Sequence, residues 1–200
     1  DVYKRQPQSD GKSRPIPNAL TIAGVDPSGG AGILADVKAM SALGAYGCAI
    51  IAALTAQNTQ GVTGISPVPP AFVGLQIDTL FTDVRIDAVK IGMLGQRPVI
   101  EVVAEKLAKW APAHVVLDPV MVAKSGDLLL EKEAVGAMRE AMLPQATLLT
   151  PNLPEAGVLL EERPVETVKE MRRVAERLRN KLAHSGERWV LVKGGHLPGN

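Results

Sequence analysis

The sequence predicts an α/β fold: a three-layer α/β/α sandwich in which helices cover both faces of a mainly parallel central sheet. Three observations carry that expectation. Short apolar runs of strand length alternate with longer stretches whose apolar residues recur every three or four positions. The alternation yields six strands, the pattern of successive strand–helix–strand units that builds a parallel sheet. No internal repeat, low-complexity tract or linker interrupts it after Asn18, so residues 19–200 are expected to form a single domain.

Each element has its own signal. Residues 19–25 are an apolar run that reads as a buried strand, and after a glycine-rich turn Ile33, Leu34, Val37 and Met40 recur at helical spacing. A second strand fits 48–54. Pro70 then suits the first turn of a helix, where a missing N–H is harmless, and Val73, Ile77, Leu80 and Phe81 share one face. Residues 87–91 form the third strand, and Pro98 opens a helix with Val99, Val103, Leu107 and Trp110 in a stripe. A fourth strand at 114–117 precedes a helix across 131–142; a fifth at 146–149 precedes a helix or turn at 153–160. The clearest helix covers 165–183. Val168, Met171, Val174, Leu178 and Leu182 form its buried stripe, Glu166, Lys169, Glu170, Arg173 and Arg177 its solvated face, and Gly186 is placed to end it. A sixth strand at 189–192 leads into Lys193-Gly194-Gly195-His196. Residues 1–18 are polar, contain three prolines and lack periodicity, so a disordered tail or non-native segment is expected there.

Composition narrows the partners. A net charge of +1 argues against nucleic acid or an anionic membrane surface, and 3% aromatic residues against a base-stacking platform. No apolar run reaches the roughly 18–20 residues of a membrane span, and no secretory h-region stands near the start. The single cysteine, Cys48, rules out an internal disulfide and a cysteine-rich metal site, which fits a reducing, cytoplasmic location.

Ligands of open α/β sheets bind beyond the carboxyl ends of the strands, and here those ends are polar. They deliver a glycine-rich turn at 24–32, Thr55 to Gly61, Gly92-Met93-Leu94-Gly95, Asp118-Pro119-Val120, Thr150 to Glu155 and Lys193-Gly194-Gly195 to one edge, which points to a polar small-molecule site. The glycine-rich turn lacks the Gly-Lys-Ser/Thr of a P-loop and the spacing of a dinucleotide fingerprint. It reads either as a tight turn or as backbone N–H donors at a helix start, and it disfavours a nicotinamide-dependent oxidoreductase. Asp36, expected in the first helical turn, serves either the helix dipole or a ligand. Asn152 and Glu155 form either a capping box or a face towards magnesium, which takes few protein carboxylates and keeps waters and phosphates. Lys193 is either a surface lysine in a turn or a point charge for phosphate. Cys48 reads as a small buried hydrophobe, and His196 carries no catalytic expectation. Lys90 interrupts an apolar strand and requires a carboxylate partner that the sequence does not identify.

Together these segments resemble one family. The run 19–24 followed by Asp26-Pro27-Ser28-Gly29-Gly30-Ala31-Gly32 is similar to the opening of the hydroxymethylpyrimidine/phosphomethylpyrimidine kinases. So are Leu54-Thr55-Ala56-Gln57-Asn58-Thr59, Lys90-Ile91-Gly92-Met93-Leu94, Val116 to Met121, Thr150 to Ala156 and Lys193-Gly194-Gly195-His196, in the family's order. The resemblance implies a ribokinase-like fold, incomplete at its C-terminus, and phosphorylation of 4-amino-5-hydroxymethyl-2-methylpyrimidine and its monophosphate by ATP with Mg2+, in thiamine biosynthesis. By matching position, Gly24, Asp36, Gln57, Met93 and Val120 would surround the pyrimidine, Gln57 offering the amide donor and acceptor that a ring edge requires. Asp118, Asn152 and Lys193 would lie towards the nucleotide phosphates and Glu155 towards the metal. A homodimer is also implied.

Two further readings stand beside it, a pyridoxine/pyridoxal kinase and a non-catalytic pyrimidine-binding module. The family's Gly-Thr-Gly-Cys segment, which supplies the anion hole and the catalytic cysteine, has no match, so no catalytic residue is identified. Phosphoryl transfer depends on such electrostatic stabilisation, and the chain as it stands should turn over on the order of 100-fold or more below a full-length relative. A steady-state assay returning a full-length rate would overturn that expectation.

Overall fold

A computed structural model describes residues 15–121, 132–163, 165–182 and 186–195. Its centre is β1 (Asn18–Val25), paired in parallel with β2 (Tyr46–Gln57) on one side and β4 (Ala88–Ile91) on the other. Beyond β4 the sheet continues in parallel through β5 (Val115–Leu117), β6 (Leu148–Leu149) and β7 (Trp189–Val190). Beyond β2 lies β3 (Val62–Pro67), the single antiparallel strand, so the order is β3-β2-β1-β4-β5-β6-β7. The sheet therefore has seven strands rather than the six expected. β3 escaped because most of its residues are exposed and Gly64 and Pro67 read as loop chemistry; it is held by pairing with Ala53 to Gln57.

Alternation along β1 fixes the layers. Leu20 and Ile22 are fully buried, and join Ile50, Val89, Ile91, Leu117 and Leu149 in one core. Val73 and Ile77 of α2 (Pro70–Phe81) and Val99, Ile100, Val103 and Leu107 of α3 (Arg97–Trp110) pack into it. Pro70 occupies the first turn of α2 as expected. Thr21 lies on the opposite side, under α1 (Gly32–Ala42), where its hydroxyl donates to Asp36. Asp78 of α2 ties the two neighbouring helices, accepting from Lys106, Lys109 and the Trp110 indole of α3.

The predicted helix at 131–142 begins, within the described residues, as α4 (Lys132–Ala137), widens into a π turn at Met138–Met142 and tightens into a 3-10 turn at Leu143–Gln145. The segment 153–160 is helical, α5 (Leu153–Leu160). The long helix is shorter than its pattern, α6 (Val168–Arg179): Thr167 and Glu170 form a capping box that starts it, and Asn180 closes it. Gly186 has a positive φ of 81° but lies six residues past that cap, so it does not end the helix. The tail expectation fails at its boundary. Asn18 is buried, its N–H donates to Asp87 Oδ2 at 2.8 Å, and its amide donates to the Arg85 carbonyl at 2.6 Å. A polar residue thus opens β1 because its backbone groups and its side-chain amide nitrogen find partners; residues 1–14 lie outside the described part.

Two local devices shape the part of the sheet that matters for the site. The outer edge of β2 has no strand opposite Ile51 among the described residues, and Gln76 of α2 fills in. Its Nε2 donates to the Ile51 carbonyl and its Oε1 accepts from the Ile51 N–H, both at 3.1 Å. At the start of α1, Gly32 has φ 59°, and a Cβ there would run into the Gly24 carbonyl oxygen. Gly32→Ala should therefore destabilise by on the order of 2 kcal/mol or more, through strain and clash together. Gly44→Ala, where φ is 81° but nothing lies within 4 Å, should lose only about 1 kcal/mol. Urea unfolding of the pair tests this, and equal midpoints would show that the turn relaxes.

Candidate functional site

The carboxyl ends of β2, β1, β4, β5, β6 and β7 form one continuous edge, each neighbouring pair tied at the tip. From β2 to β1, the Thr55 hydroxyl donates to the Val25 carbonyl at 2.7 Å. From β1 to β4, the Gly24 N–H donates to the Met93 carbonyl at 3.1 Å. From β4 to β5, the Asp118 N–H donates to Ile91 at 2.9 Å. From β5 to β6, the Thr150 hydroxyl donates to Asp118 Oδ1 at 3.2 Å, and from β6 to β7 the Lys193 N–H donates to Pro151 at 2.8 Å.

In the half of this edge over β2, β1 and β4 the tip residues Gln57, Gly24 and Met93 are uncharged. Gln57 ends β2 with its Oε1 3.2 Å from the Thr55 hydroxyl. Met93 lies across Gly24 so closely that a Cβ on Gly24 would sit 2.7 Å from the thioether methyl carbon, Cε. A side chain there would oblige the flexible Met93 thioether to move aside. Val120, half-buried, follows Asp118 in a tight turn closed by its N–H to the Asp118 carbonyl at 2.8 Å.

The glycine-rich turn takes the first of its two readings. Asp26, buried, accepts from the Ser28 N–H at 2.8 Å, the Ser28 hydroxyl at 2.7 Å, the Gly30 N–H at 3.1 Å and the Ala31 N–H at 2.9 Å. Burial pushes its carboxyl up, but these bonds together outweigh burial and hold it below the ordinary aspartate range. The turn's amides point inwards at their own carboxylate, so they are not available as an anion cradle.

The other half, over β5, β6 and β7, is charged. Asp118 Oδ1 accepts from Lys193 Nζ at 2.9 Å. Asn152 and Glu155 form the capping box of α5: Glu155 N–H donates to Asn152 Oδ1 at 2.8 Å and Asn152 N–H to Glu155 Oε2 at 2.7 Å. Glu155 is only 5% exposed. Burial pushes its carboxyl above the ordinary glutamate value and the Asp118 charge adds to that, while the Asn152 and Met121 amides and the Lys193 ammonium only partly offset it. Among the described residues no three His, Cys, Asp or Glu side chains gather to hold a metal ion.

Asp36 is the candidate site residue carried by α1. It lies in the second turn of α1, not the first, and the helix has no acidic residue in its first turn. Its Oδ2 accepts from the Thr21 hydroxyl at 2.6 Å and from Lys90 Nζ at 2.8 Å. The partner that Lys90 requires is therefore Asp36, 54 positions earlier, a pairing that no local spacing announces. Thr21, Asp26, Thr55 and Thr150 were not singled out in the sequence, although all four stand inside the motifs; for the last three, short polar side chains at strand tips were the available signal. Cys48 is buried and burial pushes its thiol up, as suits an inert core residue; His196 lies outside the described residues.

The raised Glu155 group has a consequence for stability. The folded state holds that proton more tightly than the unfolded chain, so this contribution is present at low pH and is lost as pH rises from the ordinary glutamate value through the raised one. Glu155→Gln, which keeps a capping box, should flatten that decline. Urea unfolding of both proteins between about pH 4 and 7 checks it, and parallel curves would show that Glu155 titrates normally.

Comparison with known proteins adds a family. Residues 26–200 match the family described as phosphomethylpyrimidine kinase. The hydroxymethylpyrimidine/phosphomethylpyrimidine kinase of Escherichia coli K12 is 56% identical over 180 residues, covering 90% of this chain and 66% of that protein. The chain thus spans just under two thirds of that relative. The crystal structure of phosphomethylpyrimidine kinase from Clostridium difficile 630 superposes with a TM-score of 0.84 at 42% identity, covering 92% of this chain and 78% of that one. Bacillus subtilis pyridoxal kinase, solved as an ADP complex, gives 0.80 at 34% identity over 92% and 68% of the respective chains.

Proposed function

The chain belongs to the phosphomethylpyrimidine kinase family, and from that premise we propose that it forms the binding core of an ATP-dependent kinase in thiamine biosynthesis. The substrate is 4-amino-5-hydroxymethyl-2-methylpyrimidine, then its monophosphate. The observation that carries this reading is the unbroken strand-tip edge with one neutral and one charged half. Gln57 on β2 and Asp118 after β5 are separated by β1 and β4, a span of three inter-strand steps or about 14 Å. That span suits a small ring and a polyphosphate lying end to end.

On the neutral half, Gly24, Gln57, Met93 and Val120 enclose the ring: Met93 supplies a polarisable surface and Gln57 hydrogen bonds to the ring edge. Asp36 approaches from under α1. On the charged half, Lys193 meets phosphate, released from Asp118 or shared with it, and Asn152 holds the start of α5 against the β7 tip. A magnesium ion bound with the nucleotide would supply neutralisation of phosphate charge. Asp118 and Glu155 fit it through water, because both already hold protein partners and too few carboxylates gather for a dedicated cage. The protein is expected to work in the cytoplasm as a homodimer, and the exposed Phe72 and Leu75 of α2 offer an apolar face for a second copy.

A pyridoxal kinase is the second reading, favoured by the likeness to the Bacillus subtilis enzyme, but the higher identity lies with the pyrimidine kinases. Calorimetry separates the two halves of the edge. Gln57→Ala should weaken the pyrimidine roughly tenfold and leave ATP unchanged, and Lys193→Ala should do the reverse, each having lost one hydrogen bond or charge contact. Exchange of those two effects would sink the assignment, and tighter binding of pyridoxal than of the pyrimidine would move it to the second reading.

A further inference from the structure

Lys90 places an ammonium in a strand whose neighbours, Val89 and Ile91, are fully buried, a position where apolar packing would stabilise the fold at least as well as an ion pair. Building on the assignment of Asp36 to the pyrimidine side, we infer that Lys90 is a positioning residue for the acceptor pocket. By holding one oxygen of Asp36, it leaves the other aimed at an N–H donor on the heteroaromatic substrate, its exocyclic amino group.

The pattern of bonds is specific. Thr21 of β1 and Lys90 of β4 are register partners, and both donate to the same atom, Asp36 Oδ2, at 2.6 and 2.8 Å. No hydrogen bond among the described residues occupies Oδ1. A carboxylate held on one side by two donors from two strands cannot rotate without breaking both, which fixes the direction of its remaining lone pairs. The pair is not sealed in the core either: the Lys90 and Asp36 side chains are 23% and 20% exposed, enough for a ligand to reach.

The ammonium also lies towards the site. A Cβ on Gly92 would stand 2.9 Å from Lys90 Nζ and 2.9 Å from the Ala23 Cβ. Lys90 therefore folds forward along its strand into the space that Gly92 leaves, one residue from Met93, and draws Asp36 towards the tips of β1 and β4. Lys38, the other cation near this end of α1, donates instead to the Gly29 carbonyl, so Lys90 is the cation that, with the Thr21 hydroxyl, orients the carboxylate. An amino group is the feature this oxygen selects, because a ring lacking it leaves Oδ1 unpaired in a partly desolvated pocket.

Calorimetric titration tests this, using the aminopyrimidine, the same ring without its 4-amino group, and ATP. Lys90→Met and Asp36→Asn should each weaken the aminopyrimidine on the order of tenfold, as loss of one hydrogen bond to a charged group does. The double variant should be no weaker than either single one, Lys90→Arg should recover most of the loss, and Thr21→Val, which removes the hydroxyl donor to Asp36 Oδ2, should weaken binding a few-fold. The deamino ring should bind weakly and equally to all of them, and ATP should be unaffected throughout. Wild-type affinity for the aminopyrimidine in Lys90→Met or Thr21→Val would overturn the inference. So would parallel losses of pyrimidine and ATP with a lower unfolding midpoint, which is the signature of a purely structural pair. A wild-type protein without affinity for either ring would instead overturn the functional reading, and this inference with it.

Discussion

The pairing of β1 with β2 on one side and β4 on the other decides where everything else in this molecule can stand. All three strands run the same way and are buried by helices, so their hydrophobic sets, Leu20 and Ile22, Ile50, Val89 and Ile91, lock register against one another. A slip of one residue would turn each of those side chains to the wrong face. Because the register is fixed by apolar burial, the tips arrive level, and level tips allow hydroxyls and amides to reach from strand to strand. The polar edge is thus a by-product of a core that contains almost no polar atoms.

The two halves of that edge differ in their electrostatics for a structural reason. Over β2, β1 and β4 the chain leaves in turns that satisfy themselves, most completely at Asp26, so little charge faces outwards. Over β5, β6 and β7 the strands are only two or three residues long, and charged side chains stand directly beyond their tips. Lys193 and Asp118 meet there beside a Glu155 that burial makes reluctant to ionise. Short strands that leave charged groups unburied at a dry boundary are well suited to a ligand bearing phosphate, and long strands ending in neutral groups to a ring.

Much of this was legible in the chain. The apolar runs gave the parallel strands, since buried parallel strands read as near-continuous hydrophobic stretches, and the amphipathic stripe of α6 was plain apart from its ends. What stayed hidden were features decided by contacts distant in sequence. β3 owes its existence to Ala53 to Gln57, not to its own composition. The partner of Lys90 sits on a helix 54 residues away. The choice between cap and ligand for Asn152 and Glu155 could not be read from spacing, because the same offset serves both. Asp36 fell one turn later in α1 than expected because Gly32, with its left-handed backbone, starts the helix at the very end of the glycine run.

Gln76 also bears on how this sheet stops. β3 pairs with β2 only from Ala53 to Gln57, so among the described residues the earlier part of β2 has no strand on that side, the kind of edge on which chains add to one another. A primary amide has the same donor and acceptor as a peptide group, and by occupying both polar atoms of Ile51 it counterfeits one residue of a missing neighbour. Extension of the sheet at Ile51 is thereby opposed by a side chain on a helix, which takes the two polar atoms a further strand would need.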